Sequence, residues 1–175
     1  MPPCIQLIRH AEEPDAYADI RGVDERGHPD NDALSVRGWQ RAGALVHLFA
    51  PATGWPSRPP LARPAALFAA TDAGKSRRPW CTLQPLAQQL KLPVDARFGS
   101  EGDPSALLDA VRACDGPVLI AWRHQSMADI ARALAGEQAP RAWDADRYDL
   151  VWVFEPQESA WRFTELSQRL LAGDH

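Results

Sequence analysis

Two Arg-His dipeptides, Arg9-His10 and Arg123-His124, each follow a short run of branched apolar residues, and a basic cluster of Lys75, Arg77 and Arg78 follows a third such run. A neutral imidazole can attack phosphorus, while guanidinium groups grip phosphate oxygens in pairs and offset the charge of the transition state. The inventory therefore suits phosphoryl transfer. Other anion chemistry fits less well, because the chain holds no G-x-x-x-x-G-K-[ST], no G-x-G-x-x-G and no G-x-S-x-G. Five histidines without H-x-x-x-H spacing and three cysteines (Cys4, Cys81, Cys114) without C-x-x-C spacing match neither a metal centre nor a disulfide framework. No metal and no cofactor is expected, and the thiols are read as reduced and structural.

The elements that must position these groups follow from hydrophobic spacing. Residues 4–8 read as a buried strand ending in Arg9-His10, and residues 11–31, polar and rich in Asp, Glu, Gly and Pro, as a long functional loop. Ser35 can cap a first helix with Trp39, Ala42, Val46 and Phe49 on one face. A Pro-rich connection over residues 51–64 leads to a second strand over 65–70. Pro79 then suits the first turn of a second helix whose stripe is Leu83, Leu86, Ala87 and Leu90, with Pro85 expected to kink or split it.

Residues 93–96 read as a third short strand. Asp103-Pro104 signals the start of a third helix carrying Leu107, Leu108 and Val111. Residues 118–122 form the clearest strand, ending in Arg123-His124, after which Met127, Ile130, Ala131 and Leu134 make a helix face closed by Gly136. Residues 150–154 and 161–164 read as a closing antiparallel hairpin. This alternation predicts an α/β fold, a three-layer α/β/α sandwich with a mostly parallel sheet, in which ligands bind beyond the carboxyl ends of the strands. Both Arg-His pairs and the Lys75 to Arg78 cluster should then open into one crevice.

At 175 residues the chain has the usual size of one domain, and a formal net charge of −4 argues against a sequence-independent nucleic-acid binder. The N-terminus lacks a basic segment before a long apolar run, and no stretch has the apolar length to span a bilayer, so a cytoplasmic location away from membranes is expected. His28, His47 and His175 are given no role. The seven tryptophans are read mainly as core, with Trp80 or Trp122 able to wall the pocket.

Leu7, Ile8, Arg9, His10, Ala11 and Glu12 resemble the L-[IV]-R-H-[GA]-E opening of the histidine phosphatase superfamily, which includes phosphoglycerate mutases and small phosphohistidine phosphatases. Residues 34–42 are similar to that family's L-[ST]-x-x-G-x-x-[QR]-A segment, and residues 76–82 to its S-x-R-[AP]-x-x-T element. Residues 118–124 are similar to the strand that delivers its second histidine, so the four segments follow family order over about the first 135 residues.

The resemblance implies a phosphoglycerate mutase-like fold and metal-independent hydrolysis of a phosphate ester or phosphoramidate, on a small molecule or an exposed phosphorylated side chain. It implies His10 as the nucleophile that becomes phosphohistidine, with Arg9, Arg78 and His124 binding the phosphoryl group. Two other outcomes fit the same pocket: a phosphomutase that returns the group to its substrate, or a phosphate-binding module without efficient acid catalysis. The sequence departs from the pattern in having Trp122-Arg123 before the second histidine and Gln125 after it. The acid is then sought on the loop about twenty residues beyond Thr82, where Glu101 is preferred because Asp103 suits a helix cap.

Overall fold

A computed structural model describes residues 2–72 and 76–175 of the chain. In chain order the elements are β1 (Ile5–Arg9), β2 (Gly22–Val23), β3 (Leu34–Ser35), α1 (Val36–Phe49), β4 (Ala66–Ala69), α2 (Arg78–Leu90) and β5 (Val94–Asp95). They continue with α3 (Ser105–Arg112), β6 (Val118–Trp122), α4 (His124–Ala135), a short 3-10 turn, β7 (Leu150–Pro156) and β8 (Trp161–Ser167). Six strands form one sheet in the order β5-β4-β6-β1-β7-β8; the first four run parallel and β7 and β8 antiparallel. The loop expected over residues 11–31 contains the short strand β2, which pairs with β3 apart from the main sheet.

Every residue of β1 and β6 is buried. Strands covered on both faces read as continuous apolar runs, which is how both were recognisable in the sequence. On one face Ile5, Leu7, Ile120, Trp122 and Trp152 pack with Leu108 of α3 and Met127 and Ile130 of α4. On the other, Ile8, Leu67, Leu119 and Val151 pack with Leu45 and Phe49 of α1 and Leu83 and Leu86 of α2. The helices thus cover both faces, as the three-layer expectation requires.

Two local expectations are corrected. α2 runs unbroken through Pro85 rather than splitting there. Burial of Leu83 and Leu86 on either side, at about 1.5–3 kcal/mol each, offsets the roughly 3 kcal/mol cost of an interior proline. The buried face of α1 is Gly38, Arg41, Ala42, Leu45, Leu48 and Phe49, rotated from the expected stripe. Trp39 is only half-buried, its indole Nε1–H donating to the Val23 carbonyl (2.9 Å), and Arg41 takes a place inside. No described helix is long and apolar enough to cross a membrane.

β1 hands the chain to the face bearing α1, and its neighbour β6 hands it to the face bearing α4. Adjacent parallel strands whose connections leave to opposite faces open a crevice at their carboxyl ends. His10 begins beyond β1 and His124 beyond β6, at that crevice.

Candidate active site

The parallel register aligns Arg9 with Trp122, and the His10 amide donates to the Trp122 carbonyl (2.9 Å). This fixes the loop after β1 against the end of β6. The loop is then tied to α1 and α2. The Glu12 carbonyl accepts from both the amide (2.9 Å) and the hydroxyl (3.0 Å) of Ser35, while the Ser35 hydroxyl caps α1 at the Gly38 amide (3.1 Å). A Cβ on Gly38 would lie 2.3 Å from the Glu12 carbonyl oxygen, so only glycine allows the helix this close. Buried Thr82 in α2 accepts from the Ala11 amide (2.8 Å) and donates to the Arg78 carbonyl (2.8 Å), coupling the helix that carries Arg78 to the loop that carries His10.

His10 is 4% exposed, and its Nδ1 lies 2.8 Å from the Ala11 carbonyl. A carbonyl only accepts, so Nδ1 carries the proton and Nε2 keeps the lone pair. Burial chiefly, with Arg9 and Arg78 nearby, pulls the imidazole down to about 4 against the opposing Ala11 bond and Glu13. The ring is therefore neutral near pH 7, the state a nucleophile needs.

Arg9, 2% exposed, donates through Nη2 to Glu13 Oε1 (3.0 Å) and the Tyr148 hydroxyl (2.9 Å), and through Nη1 to the Ala145 carbonyl. Its guanidinium stacks 3.8 Å from the Tyr148 ring centroid. Arg78 donates through Nη1 to Glu13 Oε2 (2.9 Å), through Nη2 to the Asn31 carbonyl (2.8 Å) and through Nε to the Ala33 carbonyl (3.2 Å). Tyr148 also donates to Glu13 Oε1 (3.1 Å); burial, with Glu13 beside it, pushes its phenol up to about 12 despite Arg9, so it stays protonated. Burial would raise the Glu13 carboxyl, but His10, Arg78, Arg9 and the Tyr148 hydroxyl together hold it below its ordinary value.

Burial and the Arg9 charge also lower His124, with Glu13 opposing. The Arg9 and Glu13 charges thus act on both histidines, and Glu13 is the carboxylate that Arg9 and Arg78 share.

The other candidates lie elsewhere. Glu101 is exposed and lines a cavity of about 190 Å³ shared with Trp122 and Ser126. Asp103 accepts from the Ser105 amide (2.9 Å) and hydroxyl (2.6 Å) just ahead of α3; the N-cap of that helix is Pro104, with no side-chain cap bond, so the expected capping role of Asp103 is corrected. Arg77 binds Glu25 (2.7 Å) and Asp30 (2.7 Å), and Arg123 binds Asp72 (2.7 Å), so both cations are paired with carboxylates. Lys75 lies outside the described residues. Trp122 packs into the core beneath α4 instead of crowding the crevice. Burial pushes the Cys81 thiol up to about 12, which leaves it unfit as a competing nucleophile.

Sequence reasoning missed Glu13 and Tyr148. Glu13 directly follows the quoted opening motif and was within reach; Tyr148, 139 residues from Arg9, carries no local signal. Both also line a surface groove of about 920 Å³ bordered by the loop after β1 and the start of α1. Among the described residues no group of three or more His, Cys, Asp or Glu is placed to hold a metal ion.

No family model and no curated protein sequence matches this chain. Among solved structures it is similar to one from Agrobacterium tumefaciens, provisionally assigned as the phosphohistidine phosphatase SixA. The likeness covers 95% of this chain and 99% of that one, with a TM-score of 0.55 and 17% sequence identity. The chain shares the phosphoglycerate mutase-like α/β fold.

Proposed function

We propose that this chain is a histidine-type phosphatase that hydrolyses a phosphate ester or phosphoramidate without a metal, through a phosphohistidine at His10. The observation that carries this reading is the buried, neutral His10 ring, whose Nδ1 is committed to the Ala11 carbonyl and whose Nε2 is therefore the basic nitrogen, set beside Arg9 and Arg78. In the first step Nε2 donates its lone pair to phosphorus, and the bond from phosphorus to the leaving oxygen or nitrogen breaks with its electrons passing to the leaving atom, which takes a proton. In the second a water oxygen attacks phosphorus, its proton leaves, and the P–N bond returns its electrons to His10. Arg9, Arg78 and His124 serve the phosphoryl oxygens throughout.

The solved relative's name is compatible with a phosphorylated side chain as substrate, and the open groove beside Glu13 leaves room for a small molecule or for a side chain presented on a partner. Glu101, which lines a cavity bounded by Trp122 and Ser126 and separate from the Glu13 groove, is proposed as the acid that protonates the leaving atom, reached from the end of β6 rather than through that groove. Release of inorganic phosphate from nitrophenyl phosphate and from phosphoramidate, measured with a chelator present, tests the reading. Turnover that survives the chelator and disappears in His10→Ala supports it; turnover that needs an added divalent ion, or that persists in His10→Ala, overturns it.

A further inference from the structure

Glu13 is held by Arg9 and Arg78, the two arginines to which the proposed function gives the phosphoryl group. One carboxylate oxygen takes the Arg9 guanidinium and the Tyr148 hydroxyl, and the other takes the Arg78 guanidinium. Two arginines arranged as a fork on a single two-oxygen anion form the geometry by which proteins hold phosphate. A carboxylate has only two oxygens, however, and the site has polar atoms left over. Among the described residues, the buried side-chain nitrogens and oxygens with no hydrogen-bond partner are Arg9 Nε and His124 Nδ1, both in this site. Buried polar atoms are rarely left unmatched. An anion with three or more free oxygens would offer the acceptors that Glu13 lacks.

Access points the same way. His10 and Arg9 are nearly sealed, whereas the Glu13 side chain is 33% exposed and lines the groove of about 920 Å³. Glu13 and the Arg9-bound Tyr148 both border that groove, and Glu13 is the one of the two that carries an anionic group able to turn into it. The net charge agrees, because a dianionic phosphoryl group placed beside an ionised Glu13 would face like-charge repulsion, while one that replaces it gains both arginines.

Resting on the phosphatase reading, we infer that Glu13 is an internal occupant of the phosphate position, a specificity-determining residue that every incoming phosphoryl group must displace. Glu13 thereby keeps two buried arginines paired in the resting protein and sets a threshold that weak monoanions do not pass. The apparent affinity for phosphate is the intrinsic affinity reduced by the fraction of molecules in which Glu13 has swung out.

The test uses inorganic phosphate, with vanadate as a second probe, on the full chain at pH 7 and constant ionic strength. Glu13→Gln is expected to bind phosphate about tenfold more tightly or better by calorimetry. It should also melt below the wild type in phosphate-free buffer and regain the difference when phosphate is added, because the added anion restores the missing partner. An ordinary structural ion pair would give a stability loss that phosphate does not repair. Unchanged or weaker phosphate binding in both Glu13→Gln and Glu13→Ala overturns the inference, leaving the phosphatase reading intact if His10 is still labelled by a phosphodonor. Absence of anion binding in wild type and variants alike, together with no labelling, overturns both. Should the variants not fold, a phosphate-bound or vanadate-bound wild-type structure decides: Glu13 released from Arg78 supports the inference, and an intact Glu13 to Arg78 bond contradicts it.

Discussion

Glu12 and Glu13 are neighbours in sequence, each bound by arginine, and they belong to two different kinds of network. Glu12 meets Arg41, which also takes Asp174 (2.8 Å) and Gln168 (3.0 Å); the Arg41 side chain is 3% exposed. That cluster joins the loop after His10 to α1 and to the C-terminal segment. Glu13 meets Arg9 and Arg78 at the border of a groove, with two buried nitrogens beside it unmatched. The Arg41 cluster is the more enclosed and fixes the backbone, although Glu12 also borders the groove and takes the exposed Arg37 at its rim (3.3 Å); the Glu13 cluster is half-open, short of acceptors and arranged for a visitor.

Disrupting the more enclosed Arg41 cluster should have the larger effect on folding. Arg41→Ala leaves Glu12 and Asp174 without their buried partner and should cost about 3–5 kcal/mol in denaturant unfolding, while the folded fraction still labels at His10. Arg78→Ala in the open cluster should do the reverse. Turnover (kcat/KM) should fall roughly 10²- to 10³-fold with a smaller loss of stability than Arg41→Ala, and Arg78→Lys should not restore it, since Arg78 uses all three nitrogens on separate acceptors. A large stability loss from Arg78→Ala would mean that both clusters are structural.

Glu101→Gln should slow alkyl phosphates by about 10²-fold and nitrophenyl phosphate only a few-fold, because a good leaving group needs no proton. Equal losses on the two substrates would place the acid elsewhere.

The pH dependence follows from His10. Its folded value of about 4 lies below the ordinary 6.5, so between these values the unfolded chain binds a proton that the folded one does not. The associated stability is fully present above pH 6.5 and is lost as pH falls through 4. Glu13 and Asp174, also held low, extend the loss further into acid. Free-enzyme kcat/KM should keep its nucleophile down to about pH 4–5, and an acid limb at pH 6.5 would contradict the buried neutral ring.

The strands ending in Arg9-His10 and Arg123-His124 were legible because a buried parallel strand writes itself as a local apolar run, and its end is where the run stops. Ser35, Gly38 and Thr82 were legible as parts of short motifs, although what they do, tying three segments together around Glu12 and Ala11, emerged only in three dimensions. Arg41 was missed as a buried residue because its partners Glu12, Gln168 and Asp174 lie 29, 127 and 133 residues away, and periodicity assigns a charged side chain to solvent. Tyr148 was missed for the same reason: it reaches Arg9 only because β7 lies antiparallel beside β1. Local pattern carried the position of His10; long-range pairing of charges carried its surroundings.

The central claim is that His10 carries the phosphoryl group during turnover. Rapid quenching of the protein with a labelled phosphodonor, followed by peptide mapping in alkali that preserves phosphohistidine, tests it most directly. The account predicts label on the peptide containing His10, absent in His10→Ala and still formed slowly in His124→Ala. Label on His124 or on a cysteine, or no label despite active turnover, would contradict it.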